Sequence, residues 1–523
     1  MLYQTLEMVG DLLIGARGSY LDLINFRDTT LVSSWKCPLT CSKQNQQELQ
    51  DDNKLNKGSE ILDCAVESNN SPPIKKIKLS QSKNRKLDTS FNHTDGSEPG
   101  CLKDQNNLFT IDSPNISLLT STNDGKNVII VTREDKSIRV LEIIGTGNSR
   151  ELIQLSQRPM PKRPCAFAIS DDNLTIISAD KFGDVYSLPL LYLPKTTVQE
   201  SAPESLDESL EPKLAYFTPA ASELTVHSER NKKALESQRK QKYQNSQKQQ
   251  ISFSCELLLG HVSMLTDVKL AKVGGKSYLI TSDRDEHIRV SRGIPQTHVI
   301  ENYCLGHTEF VSRLCIPETK PKILISGGGD NELFVWDWVH GSLLSKTDLY
   351  EHIKNVRKKL SAELNKNETM NSQIKVAVSG ILHVSLLVDS KVVSLILVSC
   401  ERLPAFFTFC LSPENKLEYS ETVWTSGNIL SMSTASVQNS MVKSLFVSID
   451  NLHKPGSSLD IREDISSILS LCRFDFDGVN LKSIPLIFKV PVDKEFEGMC
   501  KNSGQISDLL YSIESLRKKY DEV

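Results

Sequence analysis

Residues 305–338 read LGHTEFVSRLCIPETKPKILISGGGDNELFVWDW. The stretch KILIS is an apolar run, SGGGDN is a string of turn formers, and LFVWDW is a second apolar run, the pattern of two strands joined by a tight turn. Gly306-His307 stands at its head, and Trp336-Asp337 follows 30 residues after Gly306. A second Gly-His pair, Gly260-His261, lies 46 residues upstream of the first.

A Gly-His pair, a Trp-Asp pair and a period of about 40 to 45 residues mark four-stranded propeller blades, whose apolar faces are buried only when neighbours stack. Three further stretches repeat the strand, turn, strand unit: NVIIVTREDKSIRVLEI, NLTIISADKFGDVYSLPL and SYLITSDRDEHIRVS. Asp135, Asp285 and Asp330 fall at one register before Ile138, Ile288 and Leu333, whereas the ADKFGD unit carries Phe182 there, followed by Gly183 and Asp184. Where a Trp-Asp pair would stand, the other units hold Leu141-Glu142, Ser187-Leu188 and Ser291-Arg292. Strand-rich stretches continue through KVAVSGILHVSLLV, VVSLILVSCERLPAFFTFCLS, NILSMSTA and SLFVSID.

Two segments interrupt this pattern. Residues 38–107 are rich in Lys, Asn, Gln, Asp and Ser, too polar to offset a chain entropy of roughly 1 to 2 kcal/mol per residue, and are expected to be a disordered insertion. Within it SPPIKKIKLSQSKNRK clusters Lys75, Lys76, Lys78, Lys83, Arg85 and Lys86 without an acid, which suits the acidic groove of a nuclear-import receptor as well as a plain solvated loop. Residues 195–255 form a second, charged insertion, acidic first (Glu200, Glu204, Asp207, Glu208, Glu211) and then basic, a solvated linker whose basic half is suited to RNA phosphates. Without the insertions roughly 400 residues remain, seven or eight blades at about 40 to 50 residues each. Because 501–523 looks helical and lies outside the repeats, the expected fold is all-β: a seven-bladed WD-repeat β-propeller with two long disordered insertions and a short C-terminal helical tail. Strands of the first blade fall in 1–37, and further blades in 108–194 and 256–500.

Composition narrows the function. The 523 residues are 39% apolar, 6% aromatic and 24% charged, with 61 Lys plus Arg against 65 Asp plus Glu, so a chain-wide nucleic-acid charge is excluded while local basic patches are not. The 12 cysteines are scattered, and Cys37 and Cys41 have no second pair at zinc spacing; free thiols in a reducing compartment are expected. Glu7 and Asp11 interrupt the first apolar run, and Asp389 and Lys391 the most apolar one, so neither a secretory signal nor a membrane span is expected.

Candidate chemistry is sparse. Gly327-Gly328-Gly329 lacks the Lys-Ser/Thr of a phosphate loop and sits between strands. His261 and His307 occupy equivalent blade positions and are expected, with Asp330, Trp336 and Asp337, to hold the repeat together instead of moving protons. No catalytic residue, cofactor site or metal site is expected, and a binding scaffold is the leading class. The turn SDRDEHIRVS is the exception to blandness. Period-two alternation puts Ile288 and Val290 on one side of the strand and Arg289 on the other, which predicts Arg289 to be presented outward among Asp283, Arg284, Asp285, Glu286 and His287.

The blocks PKRPCAFAISDDNLTIISADKFGDVYSL, LLLGHVSMLTDV, LITSDRDEHIRVS and ENYCLGHTEFVSRL followed by SGGGDNELFVWDW resemble the WD-repeat, non-catalytic subunit of the eukaryotic tRNA (guanine-N7-)-methyltransferase, in its fungal form. The resemblance implies a propeller bound as a heterodimer to a separate catalytic subunit that carries S-adenosylmethionine. Together the two would methylate N7 of a guanine in the tRNA variable loop, in the nucleus, with tRNA met through the complex and no membrane involved. It also implies a partner surface at Lys181, Asp285, His287 and Arg289, with His287 standing where some members have lysine. The rival classes are a general propeller adaptor, as in a ubiquitin ligase, and a self-sufficient enzyme.

Overall fold

The computed structural model describes residues 2–39, 113–192, 253–363, 374–436, 443–463, 470–484, 486 and 503–518. They form seven four-stranded antiparallel sheets, each made of four consecutive strands. The blades, numbered 1 to 7 in chain order, span 5–36, 116–159, 164–260, 265–304, 311–348, 378–424 and 428–484. The import cluster at Lys75, Lys76, Lys78, Arg85 and Lys86, the first insertion beyond Leu39, and the second as far as residue 252 lie outside the described residues.

The second strand of each blade is a continuous apolar run because both of its faces are covered. Leu279 of blade 4 packs toward Ile177 and Val185 of blade 3, while its neighbour Ile280 packs toward Leu324 and Trp336 of blade 5. Leu324 and Ile325 of blade 5 divide in the same way between blades 4 and 6. Side chains of period two thus serve two interblade cores, and each fully buried Leu, Ile or Val contributes roughly 1.5 to 3 kcal/mol that an isolated blade would lack. Six such cores join blades 1 to 7 in order.

A seventh core closes the ring. Tyr3, Leu13, Ile24 and Phe26 of the first blade meet Ala435, Phe446 and Leu471 of the last, and the Leu6 amide donates to Ser431 Oγ at 3.1 Å. No strand is exchanged between the two, so closure rests on packing and not on a shared sheet. Phe253, expected inside the second insertion, is instead buried in the core shared by blades 2 and 3, with Val131 of blade 2 and Ile176 and Leu188 of blade 3. The insertion therefore ends at residue 252, three residues before the expected 255.

Helix α1, Tyr350–Glu363, links blades 5 and 6 and packs Ile353 and Val356 into their shared core. Helix α2, Ser503–Leu510, belongs to the tail, with Leu510 packed beside Leu2 and Leu452. No helix among the described residues is long and apolar enough to cross a membrane.

The Gly-His and Trp-Asp motifs are explained by one buried chain of hydrogen bonds in blade 5. Trp336 Nε1 donates to Ser326 Oγ at 2.8 Å, Ser326 Oγ lies 2.7 Å from His307 Nε2, and His307 Nδ1 lies 2.7 Å from Asp330 Oδ2. Every polar group is satisfied, so the network fixes the turn without leaving a desolvated donor. Asp337 has a lesser part, accepting from the Val339 amide at 3.1 Å in the following turn.

Candidate partner interface on the turn face

All seven blades have the same strand order, so the turns between second and third strands share one face of the ring. Blade 3 contributes 181–183 and blade 4 contributes 284–287. In blade 3 the Asp180 carboxylate accepts the amides of Phe182 at 2.7 Å and Asp184 at 3.1 Å, which curls the turn and leaves Lys181 exposed. Gly183 has φ +98°, and a Cβ there would sit 2.3 Å from the His261 carbonyl oxygen, so only glycine allows the approach. The His261 amide donates to the Gly183 carbonyl at 2.8 Å, and the His261 ring lies 3.1 Å from Asp283 and 2.8 Å from Thr281. One histidine therefore ties the blade 3 turn to the blade 4 turn.

Asp283, not Asp285, is the carboxylate that organises blade 4. Its Oδ1 accepts the amides of Asp285 at 2.9 Å and His287 at 3.0 Å while Oδ2 faces His261. Asp285 holds the register of Asp330, as expected, yet its side chain turns outward and pairs with Lys518 at 3.2 Å. Glu286 joins the same lysine at 2.9 Å. His287 is half exposed, 3.5 Å from Asp283.

Arg289 departs from expectation. It does lie on the opposite side of the strand from Ile288 and Val290, but that side faces blade 3, and only 8% of the residue is exposed. The equivalent positions in blades 2 and 5, Arg139 and Phe334, are buried as well. The physical reason is that a propeller blade has no free face: alternation chooses between two neighbours, not between core and water. Arg289 Nε donates to Ser291 Oγ at 2.9 Å and Nη1 to the Gly260 carbonyl at 3.2 Å. Arg139 has the Asp135 carboxylate at 2.6 Å, whereas Arg289 pairs with no carboxylate among the described residues. Burial accordingly pulls its guanidinium below the usual arginine range.

The C-terminal tail crosses this face, which composition did not reveal. Tyr511 donates to Asp450 at 2.5 Å in blade 7, and the Ile513 and Glu514 amides donate to Glu401 at 2.7 and 2.9 Å in blade 6. Arg517 pairs with Glu309 at 2.6 Å in blade 5, before Lys518 reaches blade 4. Alternating polar and apolar residues in SDLLYSIESLRKKY carry no pattern that assigns them to four separate blades.

The eight cysteines among the described residues are free. No group of three His, Cys, Asp or Glu able to hold a metal occurs among the described residues. His261 and His307 are each committed to a carboxylate and a hydroxyl, which leaves neither ring a nitrogen for proton transfer to a substrate.

Burial opposes ionisation of Asp283 and Asp330, but hydrogen bonds from His261 and His307 outweigh it and hold both carboxyls below the usual range. A depressed folded-state pKa stabilises the fold at any pH above the unfolded value of about 3.9, and that contribution is lost as pH falls through the folded value. Thermal melts should therefore drop below about pH 4, and Asp330→Asn should show a shallower drop from a lower starting point. An unchanged acid slope in the variant would show that Asp330 is not one of the titrating groups.

The class defined by these features is a WD-repeat propeller used as a binding scaffold, with a charged turn face bridging two blades. Residues 13–474 match the family model described as the tRNA methyltransferase TRM82 WD40 domain. The chain belongs to that family. It is 41% identical over 99% of its length, and 98% of the relative's, to the tRNA (guanine-N(7)-)-methyltransferase non-catalytic subunit of Sclerotinia sclerotiorum. It is 39% identical to the protein of that description from Phaeosphaeria nodorum, covering 88% of this chain and 89% of that one. The corresponding Vanderwaltozyma polyspora protein is 34% identical over 44% of this chain and 39% of its own length.

Proposed function

We propose that this chain is the non-catalytic subunit of a heterodimeric tRNA (guanine-N7-)-methyltransferase, which binds and stabilises the catalytic subunit through the turn face of blades 3 and 4. The observation that carries the docking surface is Arg289, a residue only 8% exposed whose guanidinium bonds a hydroxyl and a carbonyl but pairs with no carboxylate among the described residues. Leaving a buried charge unpaired is costly, and a carboxylate from a partner would supply what Asp135 supplies to Arg139. Lys181 and His287 flank it as exposed positive or protonatable groups, and Asp285 adds a carboxylate shared with Lys518.

S-adenosylmethionine and the methyl transfer to N7 of a variable-loop guanine reside on the partner, and tRNA is met through the complex. The scaffold acts by mass action on the partner's fold: a protein that binds only the competent conformation favours it by about 2.7 kcal/mol at a hundredfold excess over Kd. The test is reconstitution from separately purified subunits with S-adenosylmethionine and tRNA. The mixture should methylate N7 while this chain alone should not. Activity of the chain alone, or a mixture no more active than the catalytic subunit by itself, would overturn the reading.

The Lys75 to Lys86 cluster supports a nuclear location for the complex. Deleting residues 40–105 should leave the melting transition and the reconstituted activity intact while nuclear accumulation falls. A deletion protein as nuclear as the parent would remove the import assignment, and loss of the melt would show that the segment belongs to the fold.

A further inference from the structure

Phe182 is 60% exposed and Val262 fully exposed on the turn face; other exposed apolar side chains there are Leu305 in the loop entering blade 5 and Leu459 and Ile461 in the blade 7 loop, while Phe182 and Val262 are the pair at the blade 3 and blade 4 turns. Phe182 belongs to the blade 3 turn and Val262 to the loop entering blade 4, and the Gly183 to His261 contact brings the two backbones together. Nothing in the fold asks for an aromatic ring here. At the same register Asp135 bonds Thr132 and pairs with Arg139, and Asp330 bonds His307, while in blade 3 Asp180 already holds the turn through backbone amides. Phe182 replaces a structural carboxylate and does none of its work.

We infer that Phe182 and Val262 form the apolar centre of the docking surface for the catalytic subunit, filled by an apolar side chain of that partner and ringed by its carboxylates. This inference rests on the docking surface proposed above and names its energetic centre. Aromatic side chains are enriched at the desolvated centres of interfaces, where most binding energy concentrates, and the charged rim contributes mainly specificity and association rate. The ring is already oriented, because Lys162 Nζ sits 4.3 Å from its centroid. The charge of the rim selects the partner's chemistry. Lys518 occupies Asp285 and Glu286 from the tail, so the groups left to face a partner around Phe182 are the cations Lys162 and Lys181 with His287. An acid-ringed apolar knob is complementary to that surface.

The test titrates the full chain with the purified catalytic subunit, following Kd and the chain's own melting temperature. Phe182→Ser should raise Kd by about 30-fold or more, and Val262→Ser by several-fold, with the melt unchanged because both side chains point to water. Lys181→Glu should weaken binding in a salt-dependent manner. If Lys181→Glu weakens binding while both serine variants bind like the parent, the apolar centre is wrong and the docking face stands. If none of the three changes Kd, the docking face itself is wrong. Should Phe182→Ser leave assembly intact but weaken tRNA binding by the preformed complex, the ring stacks a base and the inference fails. Loss of a concentration-dependent self-association in the same variant would assign the patch to a second copy of this chain and overturn it equally.

Discussion

Replacing Trp336 by alanine should destabilise the propeller by roughly 3 to 5 kcal/mol, the range for removing a large side chain from a packed core. The indole is fully buried in the core shared by blades 4 and 5, stacks 5.6 Å from Phe334, and donates to Ser326. Its removal opens a cavity and takes away the donor at one end of the Ser326, His307, Asp330 chain. Denaturant melts check the magnitude. Binding of the catalytic subunit should then fall only in proportion to the folded fraction. A soluble Trp336→Ala protein with a normal melt and no binding would move this residue from the core to the interface.

Arg289→Met should raise Kd for the catalytic subunit by about thirtyfold to several thousandfold, corresponding to about 2 to 5 kcal/mol for a desolvated charge pair. Methionine keeps the aliphatic stem that fills the space between blades 3 and 4, so the melt should fall by less than the affinity. Some fall is expected, since the Gly260 carbonyl and Ser291 hydroxyl each lose a donor. Arg289→Glu is the poorer probe, because an 8% exposed carboxylate beside a carbonyl oxygen would disturb the fold as well as the interface. Lys181→Glu combined with Arg289→Met should be non-additive if both residues meet one acidic patch. Parental affinity in Arg289→Met would show that the unpaired guanidinium is not waiting for a partner's carboxylate.

The tail bears on both experiments. Tyr511, Arg517 and Lys518 tether it to blades 7, 5 and 4, so a truncation would alter ring closure, the buried Asp450 and the docking turn together. Point substitutions on the turn face are therefore the cleaner reading of the interface.

The repeat was legible in the residues alone. Gly306-His307, Asp330 and Trp336 act through contacts inside one blade, within about thirty residues of each other, and such local chemistry leaves a visible spacing. The blade number followed from length: roughly 400 residues outside the insertions, at about 40 to 50 per blade, left seven or eight, and the helical-looking tail left seven, the number of sheets found. The identity of the group lying across from each face came instead from the closed ring. Alternation placed Arg289 opposite Ile288 and Val290 correctly, but a neighbouring blade and not water covers that side, and no feature of the strand itself reports this. The same holds for Asp283 taking the histidine that the register offers to Asp285, and for Lys518 reaching Asp285 from 233 positions away in the chain. For Arg289 and Lys518 the partner is chosen by the neighbouring blade or the tail that the closed ring brings up, and not by the residues on either side, whereas Asp283 and His261, 22 residues apart, are matched by the geometry of the turn.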